Sequence, residues 1–146
     1  MQKIIKLTLS IFLGLIFITP LFSSEEIIKG RKAIFSKNYK TAKAVSVSIK
    51  AKNFDQAKKH LIEMSENYKT LLDYFPEDSK TGFKTEALPT IWENSDEFVT
   101  LMQKASSDVL QLAKKLDTET SDFRDLQKQL MWNNCSACHK KFRAEH

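Results

Sequence analysis

Glycine and proline are rare, and their placement constrains the fold of this chain more than any other feature. The sequence contains 3 glycines and 3 prolines, none of which lies in the stretches 31–75 and 90–146. One helix over either stretch would be about 65 Å long or longer at 1.5 Å per residue, too long for a small domain. We therefore expect each stretch to fold back once, and we exclude a β-sandwich, a collagen-like repeat and a disordered chain.

Local break signals divide the two stretches into four helices. Asn53, which precedes Phe54, is a good N-cap for the second helix, and Pro76 ends that helix. A polar run at 117–121 interrupts the second stretch, and Ser121 can cap the helix that follows. The predicted helices cover residues 25–50, 54–75, 95–116 and 121–144, and residues 76–94 form the one long connection.

Apolar residues in the predicted helices follow the spacing i, i+3, i+4, with a charged face opposite. The stripe of the second helix consists of Phe54, Ala57, Leu61, Met64, Tyr68, Leu71, Leu72 and Phe75. The stripe of the third consists of Phe98, Leu101, Met102, Ala105, Val109, Leu112 and Leu116, and that of the fourth of Phe123, Leu126, Leu130 and Met131. Such stripes close most simply into an all-α, antiparallel four-helix bundle.

Residues 1–24 have the pattern of a secretory signal peptide. Lys3 and Lys6 precede an uncharged, mostly apolar run at 7–18, and Ser23 and Ser24 come just before the first acidic residue. A membrane anchor is the alternative, but the run is shorter than the ~20 residues that span a bilayer. We expect cleavage near Ser23 or Ser24, export to the bacterial periplasm, no stable membrane insertion after processing, and one domain over residues 25–146.

Cys135, Cys138 and His139 form a C-x-x-C-H haem attachment signature. Residues i and i+3 leave the same face of a helix, so both sulfurs can form thioethers with the two vinyl groups of one haem. His139 is i+4 from Cys135, so its imidazole meets the iron from that same side. The motif predicts one covalently attached haem c per chain, with His139 as the metal ligand.

Other interpretations of this motif remain open. A thioredoxin-like redox pair expects a β-α-β setting, which this chain lacks. A zinc site needs a fourth ligand, and only His60 and His146 remain as further imidazoles. A structural disulfide, which the periplasm permits, leaves His139 without a role. The last alternative, an exported helical bundle that binds nothing, gives Cys135, Cys138 and His139 no role at all.

The motifs taken together resemble those of cytochrome c prime, the class II c-type cytochromes, over nearly all of the sequence after residue 24. The first helix contributes RKAIF at 31–35, and the second ends in YFP at 74–76. The long connection contributes TEALPTIWE at 85–93, and the C-terminal helix contributes CSACHKKFR at 135–143.

This resemblance implies a haem set inside one end of the bundle, with His139 as its proximal ligand. It implies that the haem is lined by Arg31, Lys32, Thr85 and Glu86. Arg31 is expected near a propionate, because an arginine fork matches a carboxylate bidentately. A solvated charge on the helix surface is the alternative for Arg31.

Two further positions follow from the same resemblance. Arg143 is i+4 from His139 and either flanks the proximal face of the haem or is a cation that favours the helix C-terminus. Trp92 is expected to pack near the connection and to have no chemical role.

Phe35 matches the family's distal position, where low-spin relatives carry methionine, and phenylalanine cannot ligate iron. The first helix, which covers the distal face in this family, contains neither Met nor His. Met64, Met102 and Met131 lie on core stripes, where methionine is a packing residue. We therefore expect a five-coordinate, largely high-spin haem and an apolar distal pocket without a hydrogen-bond donor.

Two functions fit these expectations. The first is electron transfer with redox partner proteins in the periplasm, and the alternative is binding of NO or CO for nitric oxide buffering or detoxification. An enzyme is not expected, because no residue near Phe35 resembles a general acid or base, and a net charge of +5 is too modest to indicate nucleic acid. The family often forms homodimers through the first two helices, with which Val45, Val47 and Ile49 are compatible.

Overall fold

The computed structural model describes residues 23–118 and 122–145, and these residues are almost entirely helical. The helices are α1 (Ser24–Lys50), α2 (Phe54–Leu71), α3 (Thr90–Glu93), α4 (Ser95–Thr118), α5 (Phe123–Gln127) and α6 (Asn133–Phe142). A π-helical segment, Lys128–Trp132, joins α5 and α6 into one continuous rod. Two 3₁₀ turns, Leu72–Tyr74 and Glu77–Ser79, lie in the connection after α2.

The helices pack in chain order, with α1 on α2, α2 on α4, and α4 on the rod formed by α5 and α6. This arrangement confirms the predicted all-α, antiparallel four-helix bundle. The core combines the predicted stripes of the second to fourth helices with residues of α1, for which no stripe was predicted. Its largest fully buried apolar side chains are Ile28, Val45, Leu61, Met64, Leu71, Val109, Leu112 and Met131.

Several predicted helix boundaries are wrong by one to four residues. The third predicted helix runs on to Thr118 and the fourth ends at Phe142, two residues from the predicted ends. The second helix ends at Leu71 and continues only as a 3₁₀ turn, because Pro76 disfavours α geometry at Phe75, which has φ −128° and ψ 46°. The last helix begins at Phe123, where the Asp122 side chain caps it by accepting from Arg124 N at 2.9 Å. Ser121 and residues 1–22 of the predicted signal peptide lie outside the described residues.

The expectation for Val45 and Ile49 also has to be corrected. Both side chains lie in the core of the bundle itself, so neither is available to a second copy of the chain. Val47 is 67% exposed and is the member of that trio that α1 presents to solvent. Across residues 23–118 and 122–145, none of the helices has the length and apolar character needed to cross a membrane.

Candidate functional site

A cavity of about 710 Å³ separates α1 from α6 at one end of the bundle. Toward the other end α1 meets the earlier part of the rod. Ser46 Oγ donates to Gln127 Oε1 of α5 at 2.7 Å, and the ring of Tyr39 lies edge to face on that of Trp132 in the π-helical segment, with centroids 6.4 Å apart. Most of the wall is apolar and includes Phe35, Phe75, Ile91, Phe98, Leu101, Met102, Ala105 and Phe142.

Cys135, Cys138 and His139 all line this cavity from α6. Both cysteines are half-buried and carry free thiols, so no disulfide joins them. The π-helical segment that precedes α6 adds a wide turn just before the motif, and such turns are frequent at functional sites. The predicted attachment motif therefore lies on a single cavity wall.

The environment of the two thiols differs from that of a redox dithiol. Burial raises the pKa of Cys138 to about 11 and also raises the pKa of Cys135 above its ordinary value. A reactive C-x-x-C pair needs a lowered thiol pKa, which favours the thiolate. No group of three or more His, Cys, Asp or Glu side chains that could hold a metal ion occurs in the described part of the chain, so the zinc interpretation gains no support.

The environment of His139 favours the neutral imidazole, which is the form that ligates metals. Burial lowers its pKa, the Arg143 cation lowers it further, and the Glu86 carboxylate acts in the opposite direction. Nitrogen lone-pair density is therefore available to a metal at neutral pH.

Arg31 lies inside the protein, with 2% of its surface exposed, so its interpretation as a solvated helix charge is wrong. Its guanidinium donates to Ser79 and Tyr74 O and to Thr85 Oγ1. It also lies over the ring of Phe75 at 5.0 Å. None of the described carboxylates forms an ion pair with Arg31, so a buried positive charge remains at the cavity wall.

The other predicted contact residues lie around Arg31. Lys32 lines the cavity and donates from Nζ to Lys84 O at 3.0 Å. Thr85 stands behind the wall, where its Oγ1 accepts from Arg31 and from Ala87 N. Trp92 packs against the connection as expected and donates from Nε1 to Phe75 O at 2.9 Å.

Glu86 and Arg143 close the cavity at the end of α6. Arg143 Nε donates to Glu86 Oε2 at 2.8 Å, and both residues line the cavity. An isolated antiparallel bridge between Ala87 and Arg143 fastens the backbone of the connection to the residues that follow α6. Arg143 thus lines the cavity, and its role at the proximal face stays a prediction.

Sequence reasoning missed two polar residues of the cavity wall. Tyr68 on α2 is 7% exposed, and its hydroxyl lies 3.9 Å from Cys135 Sγ. Asn38 on α1 is 4% exposed. The sequence predicted an apolar distal pocket without a hydrogen-bond donor, whereas Asn38 gives the α1 wall of the cavity a buried amide donor. Its position three residues after Phe35, on the same helix face, was the available signal.

These residues fit a haem. The cavity falls in the size range of cofactor pockets and is mostly apolar, as the porphyrin requires. One wall holds two thiols and a neutral imidazole, and the buried Arg31 guanidinium provides a counter-charge for a carboxylate. Cys135, Cys138 and His139 would hold the group, and Arg31 would face its acidic side chains.

Comparisons with known proteins place the chain in a family. The family model described as Cytochrome C' matches residues 26–143. Cytochrome c' of Rhodopseudomonas palustris is 32% identical over 145 residues, which cover 96% of this chain and 98% of the relative. A solved structure of the R. palustris protein has 30% identity and a TM-score of 0.70, and the match covers 82% of this chain and 96% of that one.

A third match supports the fold alone, because its identity is 18%. It is the nitric oxide complex of a mutant cytochrome c prime from Alcaligenes xylosoxidans, with a TM-score of 0.71. The match covers 86% of this chain and 99% of the other.

Proposed function

This chain belongs to the cytochrome c' family, and on that premise we propose that it is a periplasmic electron carrier with one haem c and a five-coordinate iron. The proposal rests on one observation above all: Cys135, Cys138 and His139 share one wall of an apolar cavity. The two thiols attach the haem, and the imidazole ligates its iron. When bound, the haem supplies an iron that cycles between Fe(III) and Fe(II) and can take a diatomic ligand.

The five-coordinate state is supported by what α1 contributes to the cavity. Its lining residues are Arg31, Lys32, Phe35, Ser36, Asn38, Tyr39 and Ala42, which include neither the methionine nor the histidine that normally supplies a sixth ligand in c-type cytochromes. Met102 on α4 also lines the cavity and is the one thioether in the described wall. It is 2% exposed and packed in the core, which is the role predicted for it.

Purification from a strain that matures c-type cytochromes tests the cofactor. We expect the mass of the mature chain plus one haem, retained under denaturing conditions, and loss of that added mass in the double variant Cys135→Ala/Cys138→Ala. The double variant Ser107→Ala/Ser136→Ala is the matched control and should keep the haem. A colourless wild-type product would refute the proposal.

Optical spectra of the oxidised, reduced and CO-treated protein test the coordination state. A high-spin spectrum at neutral pH and a new band with CO are expected. A low-spin spectrum that becomes high-spin in Met102→Leu would identify Met102 as a sixth ligand and overturn the five-coordinate assignment.

Binding of NO or CO is the second candidate function. It is favoured by the nitric oxide complex of the Alcaligenes protein and by the absence of Met and His from the α1 wall described above. Rapid reduction or oxidation by a partner cytochrome favours electron transfer. Tight NO binding together with NO sensitivity of a deletion strain favours NO handling.

Export and assembly form the last part of the proposal. Residues 1–24 direct export and are removed, and two copies associate through α1 and α2 with Val47 at the contact. N-terminal sequencing of the periplasmic protein should start near residue 25. Sedimentation should report a dimer that Val47→Glu dissociates.

A further inference from the structure

Asn38 is a buried residue of the cavity wall that makes only part of its possible hydrogen bonds. Its Oδ1 accepts from Asn67 Nδ2 at 2.8 Å. Its own Nδ2 is buried and has no acceptor among the described residues. The side chain belongs to the lining of the cavity on the α1 side, three residues after Phe35.

A buried amide without a partner is costly. A donor that loses its water and gains no acceptor is left with an uncompensated desolvation cost, and folded proteins rarely tolerate it. Ala42, one helical turn further along the same wall, shows that a small apolar residue fits this surface of α1. The amide at position 38 is therefore best explained by a partner that enters the cavity.

Other buried donors near the cavity have acceptors within the protein. The Arg31 guanidinium is bound by Ser79, Tyr74 O and Thr85. The Tyr68 hydroxyl has the sulfur of Cys135 beside it. Asn38 differs from both because Asn67 occupies its acceptor end and leaves its donor end without a partner.

We propose that Asn38 Nδ2 donates a hydrogen bond to a small diatomic ligand, NO or CO, bound on the α1 side of the haem. Asn67 is a positioning residue, since it fixes the amide by holding Oδ1. This inference rests on the haem and the open coordination position of the proposed function. It gives the site a polar group that favours ligands with partial negative charge on the outer atom.

The test uses the CO complex of the purified ferrous protein. The C–O stretching frequency in the infrared reports the electric field at the ligand oxygen, and flash photolysis and ligand exchange give the dissociation rates of CO and NO. Asn38→Leu removes the donor at nearly constant volume. Asn38→Asp keeps the acceptor for Asn67 and removes the amide N–H groups. It is the variant to measure if Asn38→Leu does not fold.

We expect Asn38→Leu to raise the C–O stretching frequency and to speed NO dissociation about 2- to 10-fold, the equivalent of one net hydrogen bond. Asn67→Leu should produce a smaller shift in the same direction. Asn94→Leu, the same substitution at an exposed asparagine outside the cavity lining, should leave the frequency and both rates unchanged.

Unchanged frequency and rates in Asn38→Leu and Asn38→Asp would overturn the inference, as would an equal shift in Asn94→Leu. A wild-type protein that forms no CO complex would instead refute the open coordination position. The two failures are therefore distinguishable.

Discussion

Arg31 and Ser79 are joined by two hydrogen bonds across 48 residues of sequence. Arg31 Nη1 donates to Ser79 Oγ and Nη2 donates to Ser79 O, both at 2.9 Å. Ser79 Oγ in turn donates to Pro76 O at 2.8 Å. One buried side chain of α1 thus fixes the start of the long connection, whose later residues close the cavity.

Arg31→Lys should lower the free energy of unfolding by about 2 kcal/mol or more. A lysine keeps the charge but cannot bind Ser79, Tyr74 O and Thr85 with one planar fork, so buried acceptors lose their donors. Denaturant unfolding measures the change. Lys29→Met, an exposed cation on the same helix, should change stability by no more than about 0.5 kcal/mol. Equal stabilities of wild type and Arg31→Lys would show that the hydrogen bonds of Arg31 to the connection do not stabilise the fold.

Gly30 on α1 lies against the ring of Tyr74. A Cβ on Gly30 would overlap with Tyr74 Cε1. Gly30→Ala should therefore destabilise the protein by about 1–3 kcal/mol through overpacking, although alanine favours helix by about 1 kcal/mol. Thermal unfolding provides the measurement, and adding Tyr74→Leu should recover most of the loss. A stabilised Gly30→Ala variant would show that Tyr74 moves aside without cost.

The sequence was sufficient to predict the bundle and the attachment motif because both depend on local signals. Three kinds of signal act within one helix: the placement of Gly and Pro, capping residues such as Asn53, and the helical spacing of apolar residues. The cap at Asn53 is present in the structure, where its Oδ1 accepts from Gln56 N at 3.2 Å. The burial of Arg31 could not be predicted in this way. Its partners lie 43 to 54 residues away, so only the tertiary fold determines that they surround it.

The polar parts of the cavity escaped prediction for a related reason. Asn38 and Asn67 are ordinary polar helix residues until α1 packs on α2 and pairs them. The π turn at Lys128–Trp132 adds one residue to a turn, and its apolar pattern does not distinguish it from an α-helix. Boundary errors at Phe75 have a local cause, the proline that follows.

Tyr68 should make stability depend on pH in alkaline solution. Burial raises the pKa of its phenol above the ordinary value near 10, so the folded protein keeps a proton that the unfolded chain loses. This contribution to stability is fully present below pH 10 and is lost as the pH rises above it.

Denaturant unfolding at several pH values can isolate this contribution. Above pH 10, wild type should lose up to about 1.4 kcal/mol per pH unit more than Tyr68→Phe. Tyr39→Phe is the control, because it removes the same hydroxyl from an exposed ring. Parallel curves for wild type and Tyr68→Phe would contradict the burial of the phenol.

Phe35 should limit the access of diatomic ligands. Its ring lies in the cavity wall on α1 and packs edge to face on Phe75, with centroids 6.5 Å apart. A ligand that enters on this side has to share space with the ring, so Phe35→Ala should raise CO affinity several-fold. Titration of the reduced protein with CO measures the effect.

Phe83 provides the matched control for Phe35. It lies on the connection with an exposed ring and is not part of the cavity lining, so Phe83→Ala removes the same side chain outside the cavity and should leave CO affinity unchanged. If both variants bind CO as wild type does, Phe35 exerts no steric control.

Since Asn38 lies on the same helix face, Phe35→Ala should also keep the low C–O stretching frequency of wild type, and Phe35→Ala/Asn38→Leu should lose it. Access and hydrogen bonding would then be separate contributions of α1 to ligand binding.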